Sequence, residues 1–141
     1  MKKLVLCSLL IVFLVSCVSA TAIENENVTV DLEDSQFNVE LEVQELTSES
    51  LTYVVAYPIE DLQAEINGET ADCRIRNLQI GSEIQCETNR THNFTAEFDF
   101  RTSEVTTQRK NVNYFQFIRS FRVPTEHYRL KVFLPENSGI V

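Results

Sequence analysis

The sequence contains no tryptophan, one methionine, three glycines and three prolines in 141 residues. So little glycine and proline excludes a fibrous repeat and leaves small room for disordered linkers. There is no glycine-rich phosphate loop, and no serine lies in a G-x-S-x-G turn. Basic residues are missing from a long stretch: between Thr21 and Cys73 there is no Lys or Arg, against fourteen Asp and Glu. The formal net charge is −9. A surface of that sign repels nucleic acid and anionic lipid, which disfavours a DNA- or RNA-binding role. Past residue 20 there is no convincing helical period and no internal repeat. What remains is enough for one domain and too short for two, with 43% apolar residues available for a core.

The first twenty residues carry an export signal. Met1-Lys2-Lys3 precedes an apolar run from Leu4 to Val15, followed by Ser16-Cys17-Val18-Ser19-Ala20. A short basic start, an apolar stretch and small residues after it make a secretory leader, expected as an N-terminal hydrophobic helix over 1–20. The run is shorter than the roughly twenty apolar residues that a membrane-spanning helix needs. Two processing routes stay open. Val18-Ser19-Ala20 suits a general signal peptidase, whereas Leu14-Val15-Ser16-Cys17 resembles the lipobox of bacterial-type lipoproteins, which would make Cys17 a lipidated N-terminus. Either route places the rest of the chain outside the cytoplasm, secreted or on the outer face of the membrane. Loss of Lys2 and Lys3 takes the formal charge from −9 to about −11.

From residue 24 to 141 the pattern is one of short strands. Phe37, Val39, Leu41 and Val43 alternate with Asn38, Glu40 and Glu42, the period of two that marks a half-buried strand. Val28, Val30 and Leu32 alternate likewise, as do Phe94, Ala96, Phe98 and Phe100. Tyr53-Val54-Val55-Ala56 is apolar on both faces, which predicts a central strand ending at Pro58. Asn67-Gly68 is a strong hairpin signal. Thr102 to Asn111 is polar and without period, and reads as a long loop or ragged edge. Between Val112 and Leu134 two alternating runs meet at Pro124, and this Phe-rich stretch is expected to be the part around which the rest folds. About nine strands with close turn signals predict an all-β, antiparallel β-sandwich, with a barrel as second choice.

Cys73 and Cys86 are expected to pair in an oxidising compartment. The register supports it: with Cys73 opposite Cys86, Ile75 falls opposite Ile84 and the chain reverses near Leu78 to Gly81. A metal pair would need further ligands at short spacing, and redox catalysis a C-x-x-C motif; neither is present.

Groups that carry chemistry are sparse, and neither a cofactor nor a catalytic set is expected. His92 and His127 have no spacing that joins them to each other or to a carboxylate. Asp31, Glu33 and Asp34 form an acidic cluster without the glycine and downstream glutamate of an EF-hand loop. Three N-x-[ST] sequons mark Asn27, Asn89 and Asn93 as glycosylation candidates, Asn89 and Asn93 lying near an expected loop. Arg119 falls on the same face as Phe117 and Phe121 by strict alternation. If it points inward toward an acid it is a candidate binding residue; a bulge near Ile118 is the alternative.

The Asn67-Gly68 hairpin leading to Cys73, the returning Ile84-Gln85-Cys86, Phe121-Arg122-Val123-Pro124 and the run from Tyr128 to Glu136 resemble a set of archaeal exported proteins. Those have a signal peptide, an uncharacterised β-sandwich ectodomain whose strands end in L-P-E-G, a transmembrane helix and often a cytoplasmic winged-helix domain. This chain departs in reading Leu134-Pro135-Glu136-Asn137 and in ending at Val141 without those later parts. The resemblance implies either a truncated piece of a longer membrane protein or a secreted or lipid-anchored member. The expected role is a non-catalytic binding or sensory module at the cell surface, with a protein or envelope partner. The alternative is a structural envelope lipoprotein without a ligand.

Overall fold

The computed structural model describes residues 22–103, 105–110, 112–117, 124–136 and 138. The expected leader helix, Cys17 and Arg119 lie outside the described residues. Among the described residues there are eleven strands and no helix. In chain order they are β1 (Ala22–Asp31), β2 (Gln36–Glu45), β3 (Ser50–Val55), β4 (Glu60–Ile66), β5 (Glu69–Thr70), β6 (Cys73–Asn77), β7 (Ser82–Glu87), β8 (His92–Arg101), β9 (Thr106–Arg109), β10 (Val112–Phe115) and β11 (Thr125–Phe133).

Six strands form one sheet in the order β11-β1-β2-β8-β4-β5, three form a second as β3-β7-β6, and β9 and β10 make a separate hairpin. The fold is a β-sandwich. Its core lies between the first two sheets, where Val28, Val30, Phe37, Val39, Leu41, Phe98 and Phe100 of the large sheet meet Leu51, Val55 and Ile84 of the small one. Alternation explains this burial directly, since successive side chains on a strand point to opposite faces. At one end Phe37 stacks on Phe100 with ring centroids 5.2 Å apart and on Phe117 at 5.7 Å. Through Phe117 and the buried Val105, the segment holding the β9–β10 hairpin is tied to that end of the core.

Several expectations need correction. The large sheet is mixed, not purely antiparallel, because β11 pairs with β1 in parallel, Asn27 opposite Arg129 and Val30 opposite Val132. A parallel neighbour needs a long crossover, and here nearly the whole domain intervenes. Among the described residues there are eleven strands rather than nine, partly because the polar stretch after Thr102 holds β9, which pairs with β10. Nor do the described residues between Val112 and Leu134 form the centre of the fold: Phe115, Phe117 and Val132 pack at the margin of the core. β11 is an edge strand with Tyr128, Leu130 and Phe133 exposed, while β2 and β8 occupy the centre of the sheet. Alternation reports which side chains share a face, not how well that face is covered. β3, expected to be central, is likewise an edge, and β7 lies in the middle of its sheet.

Two turns fix the connections. Asn67 and Gly68 both have positive φ, 52° and 76°, which closes a tight reversal between β4 and the two-residue β5. The chain then leaves the large sheet for β6 instead of continuing alongside β4. At Gly81, φ is 97° and a Cβ would lie 2.0 Å from the Val55 carbonyl oxygen, so this reversal between β6 and β7 requires glycine.

Candidate functional site

The outer face of the six-stranded sheet is open to solvent, and its charge is ordered by strand. β2 contributes Glu40 and Glu42, β8 contributes Glu97 and Asp99 with Arg101 at its end, and β4 contributes Glu65. β1 presents neutral Asn25, Asn27 and Thr29 with Asp31 at its end, and β11 presents His127, Arg129 and Lys131. The pairing aligns these into rows. Across the middle run Arg129, Asn27, Glu40, Glu97 and Glu65, each directly opposite the next. Three glutamates thus occupy neighbouring positions on adjacent strands, where side chains sit about 5 Å apart at Cβ and like charges destabilise. Among the described residues none of the three is ion-paired.

Amide side chains moderate part of this charge. Asn38 Nδ2 donates to Glu97 Oε1 at 2.7 Å and to Asp99 Oδ1 at 3.1 Å. Asn25 Nδ2 donates to Glu42 Oε2. A shallow cleft of about 160 Å³ lies over the middle row, lined by Asn27, Glu40, Glu42, Glu65 and Glu97. Chemically this face can attract cations or a basic surface.

Beneath the sheet is a second polar feature that sequence reasoning missed. Glu26 is 1% exposed and faces the core, where the Tyr53 hydroxyl donates to its Oε1 at 2.9 Å. Burial pushes the Tyr53 phenol well above its ordinary range, with a smaller contribution from Tyr128 on β11. A register shift between Ile23 and Asn25 puts both Ile23 and Glu26 on the inner face. Alternation read from Val28 does lead back to Glu26, but an acid in that position gave no sign of being a strand interior.

The residues singled out from the sequence do not converge. Cys73 and Cys86 are disulfide-bonded with Cα atoms 4.2 Å apart, and Ile75 stands opposite Ile84 as the spacing required. This bridge staples β6 to β7 and lies away from the acidic face. His92 on β8 contacts Glu45 at 3.6 Å and Thr91 Oγ1 at 2.8 Å. His127 is on β11, with β1 and β2 between, so at least three strand spacings, roughly 14 Å, separate the two histidines. Asp31 Oδ1 accepts from the Glu33 amide at 2.9 Å, making the acidic cluster there a turn between β1 and β2. Asn27 is half-buried within the middle row, Asn89 is exposed between β7 and β8, and Asn93 is exposed on β8 with φ of 49°. No group of three His, Cys, Asp or Glu among the described residues is placed to hold a metal ion.

No protein-family model and no curated protein sequence matches the chain. Solved structures do. Native yeast LTA4 hydrolase matches with a TM-score of 0.49 at 22% identity, over 64% of this chain and 16% of that one. Yeast LTA4 hydrolase in complex with Bestatin gives 0.47 at 25% identity over the same shares. A non-cellulosomal cohesin from the hyperthermophilic archaeon Archaeoglobus fulgidus matches 84% of this chain and 94% of its own, with a TM-score of 0.44 at 11% identity. The chain therefore spans only a small part, 16%, of the hydrolases it resembles.

Proposed function

We propose that this chain is a non-catalytic binding or sensory module on the outer side of a membrane, and that the open face of its six-stranded sheet meets the partner. The observation that carries the reading is the row Glu40, Glu97, Glu65. Threonine or lysine at one of these positions would keep the face soluble without the repulsion between neighbours. Departures from locally favourable choices are expected at functional sites. The disulfide supports an oxidising location, as does the basic-apolar N-terminal stretch. The likeness to archaeal exported ectodomains supports the same placement, with attachment through a lipid on Cys17, an uncleaved leader or a later span.

The test is retention of a partner from the envelope and exported fractions of the source cells on the immobilised full chain. A partner held by the native chain and lost by the Glu40→Gln, Glu65→Gln, Glu97→Gln triple variant supports the reading. Retention unaffected by the triple variant, or ordered self-assembly without any partner, defeats it and favours a structural envelope component.

A further inference from the structure

We propose that the free edge of β11 is a docking site for an extended segment of a partner protein in which acidic and apolar side chains alternate. β11 is nine residues long and pairs with β1 along its length, with Ile23 N donating to Pro124 O and Leu32 N to Phe133 O at the two ends. Among the described residues nothing pairs with its other side. Such an edge offers a row of backbone donors and acceptors to any strand that fits.

Its side chains define what fits. On the core side, Tyr128 is 44% exposed and Leu130 39%, although their neighbours on β1, Glu26 and Val28, are each 1% exposed. The cause is coverage. Tyr53 of β3 reaches Glu26, so the smaller sheet lies above β1, and the inner face of β11 projects past it. An added strand would place apolar side chains beside Tyr128 and Leu130.

On the outer side, Arg129 and Lys131 are exposed, and among the described residues neither is ion-paired. Lys131 Nζ lies 4.3 Å from the centre of the Phe133 ring. Directly opposite them on β1 are the neutral Asn27 and Thr29; Asp31, diagonal to Lys131, accepts from the Glu33 amide in the β1–β2 turn, and a full strand separates the cations from the acids of β2. An incoming strand would meet these cations directly opposite its own outer side chains, where acids are favoured.

The same cations argue against a second copy of this chain as the occupant. Antiparallel self-pairing about Arg129, Leu130 or Lys131 sets Arg129 against itself, Arg129 against Lys131, or Lys131 against itself. Charged residues on an edge commonly guard it in this way. Here the guard excludes self-pairing and basic segments while admitting an acidic one, so backbone bonds supply affinity and the charges choose the partner.

This proposal rests on the binding reading above but uses the β11 edge of the sheet, where that reading uses the glutamates of β2, β8 and β4, and the two are separable by variants. The probe is a labelled peptide as long as β11, of alternating valine and glutamate, compared with its lysine-for-glutamate analogue by fluorescence anisotropy at about 0.15 M salt against the full chain carrying Glu40→Gln, Glu65→Gln and Glu97→Gln, so that the acidic row does not capture the lysine peptide. Two cross-strand charge pairs favour the glutamate peptide by about tenfold. The Arg129→Glu, Lys131→Glu double variant should reverse the order, and the milder Arg129→Ala, Lys131→Ala variant should abolish the preference, both with unchanged circular dichroism. Equal binding of the two peptides overturns the proposal, as does a glutamate preference that survives charge reversal. Sedimentation showing dimers that the Arg129→Glu, Lys131→Glu variant dissolves would make a second copy the occupant and overturn it too. Failed peptide binding with partner retention on the acidic face intact sinks this proposal alone.

Discussion

Replacing Glu40 by lysine should make the domain more stable, and by an amount that salt removes. Glu40 is exposed, opposite Asn27 on one side and Glu97 on the other, and it makes no ion pair among the described residues. Two unit charges about 5 Å apart interact by about 0.8 kcal/mol in water, within the range of about 0.2–1 kcal/mol for a cross-strand pair. Glu40→Gln removes the repulsion once. Glu40→Lys removes it and adds an attraction of similar size, for a total gain of about 1–1.5 kcal/mol at low ionic strength. Urea unfolding in dilute buffer should therefore order the midpoints as lysine above glutamine above glutamate, at constant slope. In 1 M salt the Debye length falls to about 3 Å and the three should converge. A lysine variant no more stable than the native chain at low salt would refute the reasoning. So would a gain that persists in 1 M salt, because packing of the aliphatic stem would then explain it.

Three further outcomes follow from the packing. Removing the Cys73–Cys86 bridge with a double serine variant should lower stability by about 3 kcal/mol, since it frees a loop with a sequence separation of 13; thermal melting of the full chain with and without reductant checks it. Gly81→Ala should destabilise by more than the roughly 1 kcal/mol of an ordinary glycine replacement, because its Cβ meets the backbone at Val55 and Ala56; a melting temperature within a degree of the native one would contradict this. For Tyr53, burial raises the folded-state value above the unfolded value near 10, so the neutral phenol's contribution is full below pH 10 and is lost as pH rises beyond it. Stability measured from pH 9 to 11 should fall in the native chain and fall less in Tyr53→Phe. That variant should also be about 1–3 kcal/mol less stable at neutral pH, because Glu26 loses the hydroxyl donor.

Alternation in the sequence determined the strand content and its inner faces: Phe37 to Val43 and Phe94 to Phe100 point their apolar side chains inward because a pleated strand has a period of two. Cysteine spacing determined the Cys73–Cys86 register, and Asn67-Gly68 determined a reversal, because both are local constraints on a few neighbouring residues. Strand order is not local. Nothing in the alternation of Tyr128, Leu130 and Val132 says whether another layer covers them, and only the small sheet's reach across to β1 leaves that row half-open. The acidic row is of the same kind. Glu40, Glu65 and Glu97 are far apart along the chain and each looks like an ordinary solvated side chain. They become neighbours only because β2, β8 and β4 pair in one register, and repulsion between charges depends on distance in space, not on separation in sequence.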